Sequence, residues 1–140
     1  MLILVTGASG FVGSRIAVNA KIRGYEVIEL TRTNWNTLDK YRSSVDWIIH
    51  CAGVNRPTDE LAFDLNVQLA KDLISQKWAR LKRLSYTNSV QSSEDSPYGK
   101  SKNLASQLLS YFCHENDIKY DNLLLPNIFG TNSRPDYNTV

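Results

Sequence analysis

The chain has 140 residues, with 16 Lys+Arg, 14 Asp+Glu and 2 His, for a formal net charge of +2. That length suits one domain with its own core. Hydrophobic residues at 42% against 21% charged are the balance of a globular protein, not a disordered one. The scattered cations exclude a basic arm or stripe for nucleic acid, and no apolar run approaches the roughly 18 residues that span a membrane.

In chain order, Leu2 to Val5 is a short apolar run ending in Thr-Gly, the mark of a buried strand. Phe11 to Arg23 has helical spacing and stops at Gly24. Tyr25 to Leu30 reads as a second strand, Asn34 to Arg42 as a short helix, and Val45 to His50 as a third strand. A helix is predicted from Thr58 to Gln76, with Leu61, Leu65, Leu69 and Leu73 on one stripe. Leu81 to Thr87 reads as strand four. Ser96-Pro97 then opens a helix, Ser as N-cap and Pro in the first helical position. Tyr120 to Leu125 is strand five, stopped by Pro126. The alternation predicts an α/β fold: a doubly wound, Rossmann-type parallel sheet of five strands in a single domain over 1–140. Such sheets bind ligands beyond the carboxyl ends of their strands, where the strand order reverses.

Cys51 and Cys113 stand far apart and in no metal-ligand spacing. They read as reduced thiols that pack, which suits a cytoplasmic protein.

Strand one runs into Thr6-Gly7-Ala8-Ser9-Gly10-Phe11-Val12-Gly13. Three glycines at intervals of three, between a strand and a helix, suit a tight turn, a close approach to a pyrophosphate and helix-on-strand packing. The helix N-terminus adds free N–H groups and a positive dipole end. No Gly-Lys-Ser/Thr follows, so this is not a P-loop. Gly7, Gly10, Phe11, Val12 and Gly13 are therefore candidate dinucleotide contacts. The residue that reads the adenosine ribose belongs at the end of strand two. Positions 31 and 32 are Thr and Arg, with no carboxylate for a ribose diol. Arg32 can pair with a 2′-phosphate, and Arg15 could add a second cation. This favours NADP over NAD, with Glu29 as the opposing signal.

Tyr98 and Lys102 are four residues apart on the helix that Ser96-Pro97 opens, which places both on one face. A lysine cation one turn away favours the phenolate and makes tyrosine a usable acid–base group. Ser89, after strand four, could hydrogen-bond a substrate carbonyl beside it.

Together these residues resemble the extended branch of the short-chain dehydrogenase/reductase family, the NAD-dependent epimerases and dehydratases. The likeness lies in the glycine loop, His50-Cys51-Ala52-Gly53, Asn66, Ser89, Tyr98-x-x-x-Lys102 and Pro126-Asn127-Ile128-Phe129-Gly130. His50 to Pro57, Ser89-Val90-Gln91, Ser96 to Lys102 and Arg134 to Asn138 resemble bacterial capsule and O-antigen 4-ketoreductases of UDP-acetamido sugars. The resemblance implies that Tyr98 is the general acid, that Lys102 lowers its pKa and binds the nicotinamide ribose, and that Ser89 orients the keto group. It implies that Ala52 and Gly53 line the cofactor and that Asn127 lies near substrate or nicotinamide. His50 and Asn66 read as satisfied structural groups. The implied function is NADPH-dependent reduction of a 4-keto UDP-sugar in deoxyhexosamine synthesis. Epimerase or dehydratase chemistry, or a non-catalytic dinucleotide-binding module, are the alternatives.

Two departures stand out. Leu124 replaces an arginine that the family commonly carries three residues before its Pro-Asn-x-Phe-Gly asparagine. The resembled enzymes also continue into a substrate subdomain. The expectation is therefore a cofactor-binding half, truncated before that subdomain. Strand five would be an open edge, and the partner a complementing carboxyl-terminal chain or a second copy.

Overall fold

A computed structural model of the chain describes residues 1–55 and 63–131. Five strands, β1 (Leu2–Thr6), β2 (Glu26–Leu30), β3 (Trp47–His50), β4 (Arg83–Ser89) and β5 (Lys119–Leu125), form one sheet in the order β2-β1-β3-β4-β5. Every pairing is parallel. Among the described residues the helices are α1 (Phe11–Ile22), α2 (Asp64–Ile74) and α3 (Pro97–Glu115).

Apolar side chains leave both faces of the central strands, as a sheet covered on both sides requires. Ile3, Val5 and Ile49 pack with Ala17 and Ala20 of α1. Leu4, Ile48, Leu84 and Tyr86 pack on the opposite face with Ala70 and Leu73 of α2 and with Ala105, Leu109 and Cys113 of α3. The chain moves outward from β1 to β2, then crosses back to β3 on the other side of β1. The crevice between the ends of β1 and β3 is thus the switch point.

Three elements depart from the sequence-based expectations. Residues Arg32–Tyr41 form a run of 3-10 helix where an α-helix over 34–42 was expected, and Asn34 breaks it at φ −121°, ψ 18°. The Asn34 side chain is the cause: it accepts from the Thr31 amide at 2.6 Å and donates to the Glu29 carbonyl at 3.0 Å. Such local side-chain bonds compete with helical backbone pairing.

On α2 the buried row is Asn66, Ala70 and Leu73, while Leu65 is exposed. The helix turns its asparagine inward because that side chain has specific backbone partners, described below. β4 runs two residues further than expected, so Ser89 is its last residue. The expected first turns of the helix from Thr58, with Leu61, and the motif residues Arg56, Pro57 and Arg134 to Asn138 lie outside the described residues.

Candidate active site

Gly7 follows β1 at φ +65°, a conformation that a side chain disfavours. A Cβ there would come within 2.7 Å of the Ala52 amide nitrogen. At Gly13 a Cβ would overlap the Gly7 carbonyl oxygen. One glycine thus lets the turn close against the β3 loop, and the other seats α1 on that turn. Gly10 is exposed, and among the described residues a Cβ there would have one close neighbour, the Gly7 carbonyl at 3.1 Å. It precedes α1 without capping it, and the first turn of α1 holds no acidic residue. Free amides and a positive dipole end are left for an anion, as a pyrophosphate requires.

Phe11 and Val12 lie in that first turn, and the Arg15 guanidinium sits 3.8 Å from the Phe11 ring centroid. Arg15 donates to the carbonyls of Phe11 and Thr131. Arg15, expected as a second cation for a 2′-phosphate, is thus turned toward the segment after β5.

Thr6, the last residue of β1, joins this loop to β3. Its hydroxyl accepts from the amides of Cys51 and Ala52, both at 3.1 Å. Both lone pairs are then taken, so its proton goes to Nδ1 of His50 at 2.7 Å. His50 is therefore the neutral tautomer with hydrogen on Nε2, and that buried atom has no hydrogen-bond partner among the described residues. Burial, with a smaller contribution from the Lys102 cation, lowers the His50 pKa to about 3. His50 is structural, as expected.

Asn66 is structural too. It accepts from the Val54 amide at 2.7 Å and donates to the Val54 carbonyl at 2.9 Å and to Ser101 Oγ at 3.0 Å. It ties the loop after β3 to α3. Gly53 leaves room for it, since a Cβ there would lie 2.9 Å from Asn66 Oδ1.

α3 begins as its sequence dictates: Ser96 Oγ accepts from the Gly99 amide at 3.0 Å, followed by Pro97. Its buried row includes Lys102, Ala105, Leu109 and Cys113. Lys102 is only 6% exposed and donates to the Thr87 carbonyl at 2.8 Å. Its ammonium lies 4.2 Å from the Tyr86 ring centroid. Burial holds its pKa down at about 8, against a smaller opposing effect of Cys51. Tyr98, one turn earlier, packs its ring on Phe63 at 5.5 Å. Ser89 Oγ accepts from the Gln91 amide at 3.2 Å, which leaves its own proton to donate.

The sheet thus gathers Gly7, Gly10, Gly13, Ala52, Gly53, Ser89, Tyr98 and Lys102 at its carboxyl edge. Arg32 is exposed just beyond β2. Glu29 turns to the other side and pairs with Lys21 of α1. Asn127 is exposed in the segment after β5, and Leu124 is 54% exposed on β5. Sequence reasoning did not foresee the roles of Thr6, Tyr86 or the Thr87 carbonyl. A threonine directly before the first glycine was the one available signal; a backbone carbonyl leaves none.

A parallel doubly wound sheet with this loop and this Tyr-Lys helix defines a Rossmann-type nucleotide-binding protein. The model of the NAD dependent epimerase/dehydratase family matches residues 3–139, and the chain belongs to that family. It is 38% identical to a UDP-2-acetamido-2,6-beta-L-arabino-hexul-4-ose reductase of Pseudomonas aeruginosa, across the whole chain and 39% of that enzyme. The crystal structure of the capsular polysaccharide assembling protein CapF from Staphylococcus aureus is similar, at TM-score 0.80 and 30% identity, over the whole chain and 39% of that protein. A UDP-glucuronic acid 4-epimerase from Bacillus cereus, in complex with NAD, shares the fold at TM-score 0.82 and 21% identity, over 97% of this chain and 60% of that one. The chain therefore spans well under half the length of the first two proteins.

Proposed function

We propose that these residues form the cofactor-binding half of an NADP-dependent oxidoreductase that reduces the 4-keto group of a UDP-acetamido sugar. The observation that carries this reading is Lys102, a buried cation at the carboxyl edge of β4 and one helical turn from Tyr98, on the same sheet edge to which the glycine loop leads. The similarity to a 4-keto-sugar reductase supports the substrate class. That substrate class fits capsule or O-antigen deoxyhexosamine synthesis, and it fits a cytoplasmic enzyme; no described helix is long and apolar enough to cross a membrane.

A bound nicotinamide dinucleotide would supply the hydride. Gly7, Gly10 and Gly13 would hold its pyrophosphate with the amides of Phe11 and Val12, and the Ala52-Gly53 backbone would line it. Ser89 would donate a hydrogen bond to the keto oxygen. Tyr98 would give its proton to that oxygen as negative charge develops on it. Lys102 would favour the resulting phenolate and bind a ribose hydroxyl. Asn127 would lie near the substrate.

Arg32 and the orientation of Glu29 support NADPH over NADH. Glu29 is engaged with Lys21 and so is turned from a ribose diol, while Arg32 has no carboxylate beside it at 31. A charge-assisted phosphate contact is worth about 1.5–3 kcal/mol, roughly ten- to a hundredfold in affinity. Calorimetric titration with NADPH and NADH is the test: NADPH should bind tighter by that factor, and Arg32→Ala should abolish the difference. Equal affinity in the unmodified chain would overturn the NADP assignment.

A further inference from the structure

Lys102 is the only buried lysine or arginine among the described residues. A desolvated ammonium requires compensation for its charge. Among the described residues no carboxylate pairs with it. The Thr87 carbonyl takes one of its three protons, and the face of Tyr86 lies 4.2 Å from the ammonium. Tyr86 is 1% exposed and lies opposite His50 in the β3–β4 register. The two rings stack at 5.3 Å and 20°. His50 is in turn fixed by the Thr6 hydroxyl across the β1–β3 pairing. A continuous row therefore runs Thr6, His50, Tyr86, Lys102, from β1 through β3 and β4 to α3.

We propose that Tyr86 is a positioning residue whose ring face holds the Lys102 ammonium at the carboxyl edge of the sheet, braced from the side by the Thr6–His50 pair. This rests on the reading above, in which Lys102 serves cofactor and Tyr98. The aromatic quadrupole attracts a cation most strongly when water is excluded. It thereby stabilises the charged lysine that burial disfavours, and it fixes where that charge sits.

The test is an NMR titration of the Lys102 side chain in the 140-residue chain, its signal assigned by its loss in Lys102→Met. The titratable groups around the ammonium are His50 and Cys51 at the end of β3, Tyr86 on β4 and Tyr98 on α3. His50, lowered to about 3, and Cys51, raised to about 11, do not change charge near pH 8. Burial raises the Tyr86 phenol far above that range, and a Tyr98→Phe background removes the last of the four. Tyr86→Phe keeps the ring face and should leave the lysine titration in place. Tyr86→Leu removes the face and should lower it by about one pH unit. Fluorinated phenylalanines at position 86 keep the shape and weaken the quadrupole, so the lysine titration should fall with each added fluorine. They decide the matter if Tyr86→Leu does not fold. A titration unmoved across the fluorinated series would overturn the inference. Dinucleotide binding by the unmodified chain is measured in parallel. Its absence would overturn the functional reading, while a lysine shift in the series would still establish the Tyr86–Lys102 coupling.

Discussion

At the scale of single residues the three loop glycines are not equivalent. Gly13 is required by packing, because a Cβ there meets backbone that cannot move aside. Gly13→Ala should destabilise the fold by about 1–3 kcal/mol, read from urea denaturation. Gly10 is exposed, and a Cβ there meets the Gly7 carbonyl at 3.1 Å, a far milder crowding than at Gly13, so Gly10→Val should leave far-ultraviolet circular dichroism nearly unchanged while abolishing dinucleotide binding in calorimetry. Unchanged binding would make the loop a turn and nothing more. His50 makes a different kind of prediction. Its folded pKa of about 3 lies below the ordinary value of 6.5. Between those values the unfolded chain takes up a proton that the folded chain refuses, so stability is lost as pH falls below 6.5. The slope from this residue is about 1.4 kcal/mol per pH unit. Denaturation at pH 6.5, 5.5 and 4.5 should therefore show a steeper decline in the unmodified chain than in His50→Gln, by one proton. Parallel slopes would show that His50 ionises freely in the fold.

At the scale of elements, α3 carries both Tyr98 and Lys102, the proposed acid–base pair, and its start fixes where they lie. Ser96 caps it through the Gly99 amide, two residues before Tyr98. Ser96→Ala should cost about 1 kcal/mol of stability, and fraying of that first turn should weaken dinucleotide binding more than Ser110→Ala, on the exposed side of the same helix. α2 contributes in another way. Asn66 holds both polar groups of Val54 and the Ser101 hydroxyl, so it couples the loop that lines the crevice to α3. The inner row of α2 holds this amide together with Ala70 and Leu73, and its burial is tolerated because it meets backbone donor and acceptor alike.

At the scale of the whole molecule, these residues hold the proposed cofactor cradle and proton donor but account for 39% of the length of the related reductase. Positioning a substrate contributes several kcal/mol to lowering a barrier. The chain alone should bind NADPH yet show negligible 4-keto-sugar reduction, followed by loss of NADPH absorbance. Turnover should appear when the part of the reductase outside the matched region is supplied in trans or as a fusion, and Tyr98→Phe should then remove it. Rapid turnover by residues 1–140 alone would show that the grip on the sugar lies within them. Activity that survives Tyr98→Phe would discard the assigned acid.

The sequence by itself determined the order of strands and helices, the parallel sheet, the glycine turn and the placing of Tyr98 and Lys102 one turn apart on a single helix. Each of these rests on local spacing: an apolar run of strand length, a cap before a proline, or two residues one helical turn apart. The tertiary structure alone decided which residues met across strands. Thr6 reaches His50 over 44 residues of chain, and Lys102 reaches the Thr87 carbonyl over 15. It also decided that Glu29 faces Lys21, that Arg15 turns toward Thr131, and that α2 buries Asn66 beside Leu73 while Leu65 stays exposed. Spacing along a chain fixes which face of an element a residue occupies. What that face meets is set by sheet register and helix docking, which depend on the packing of the whole domain at once.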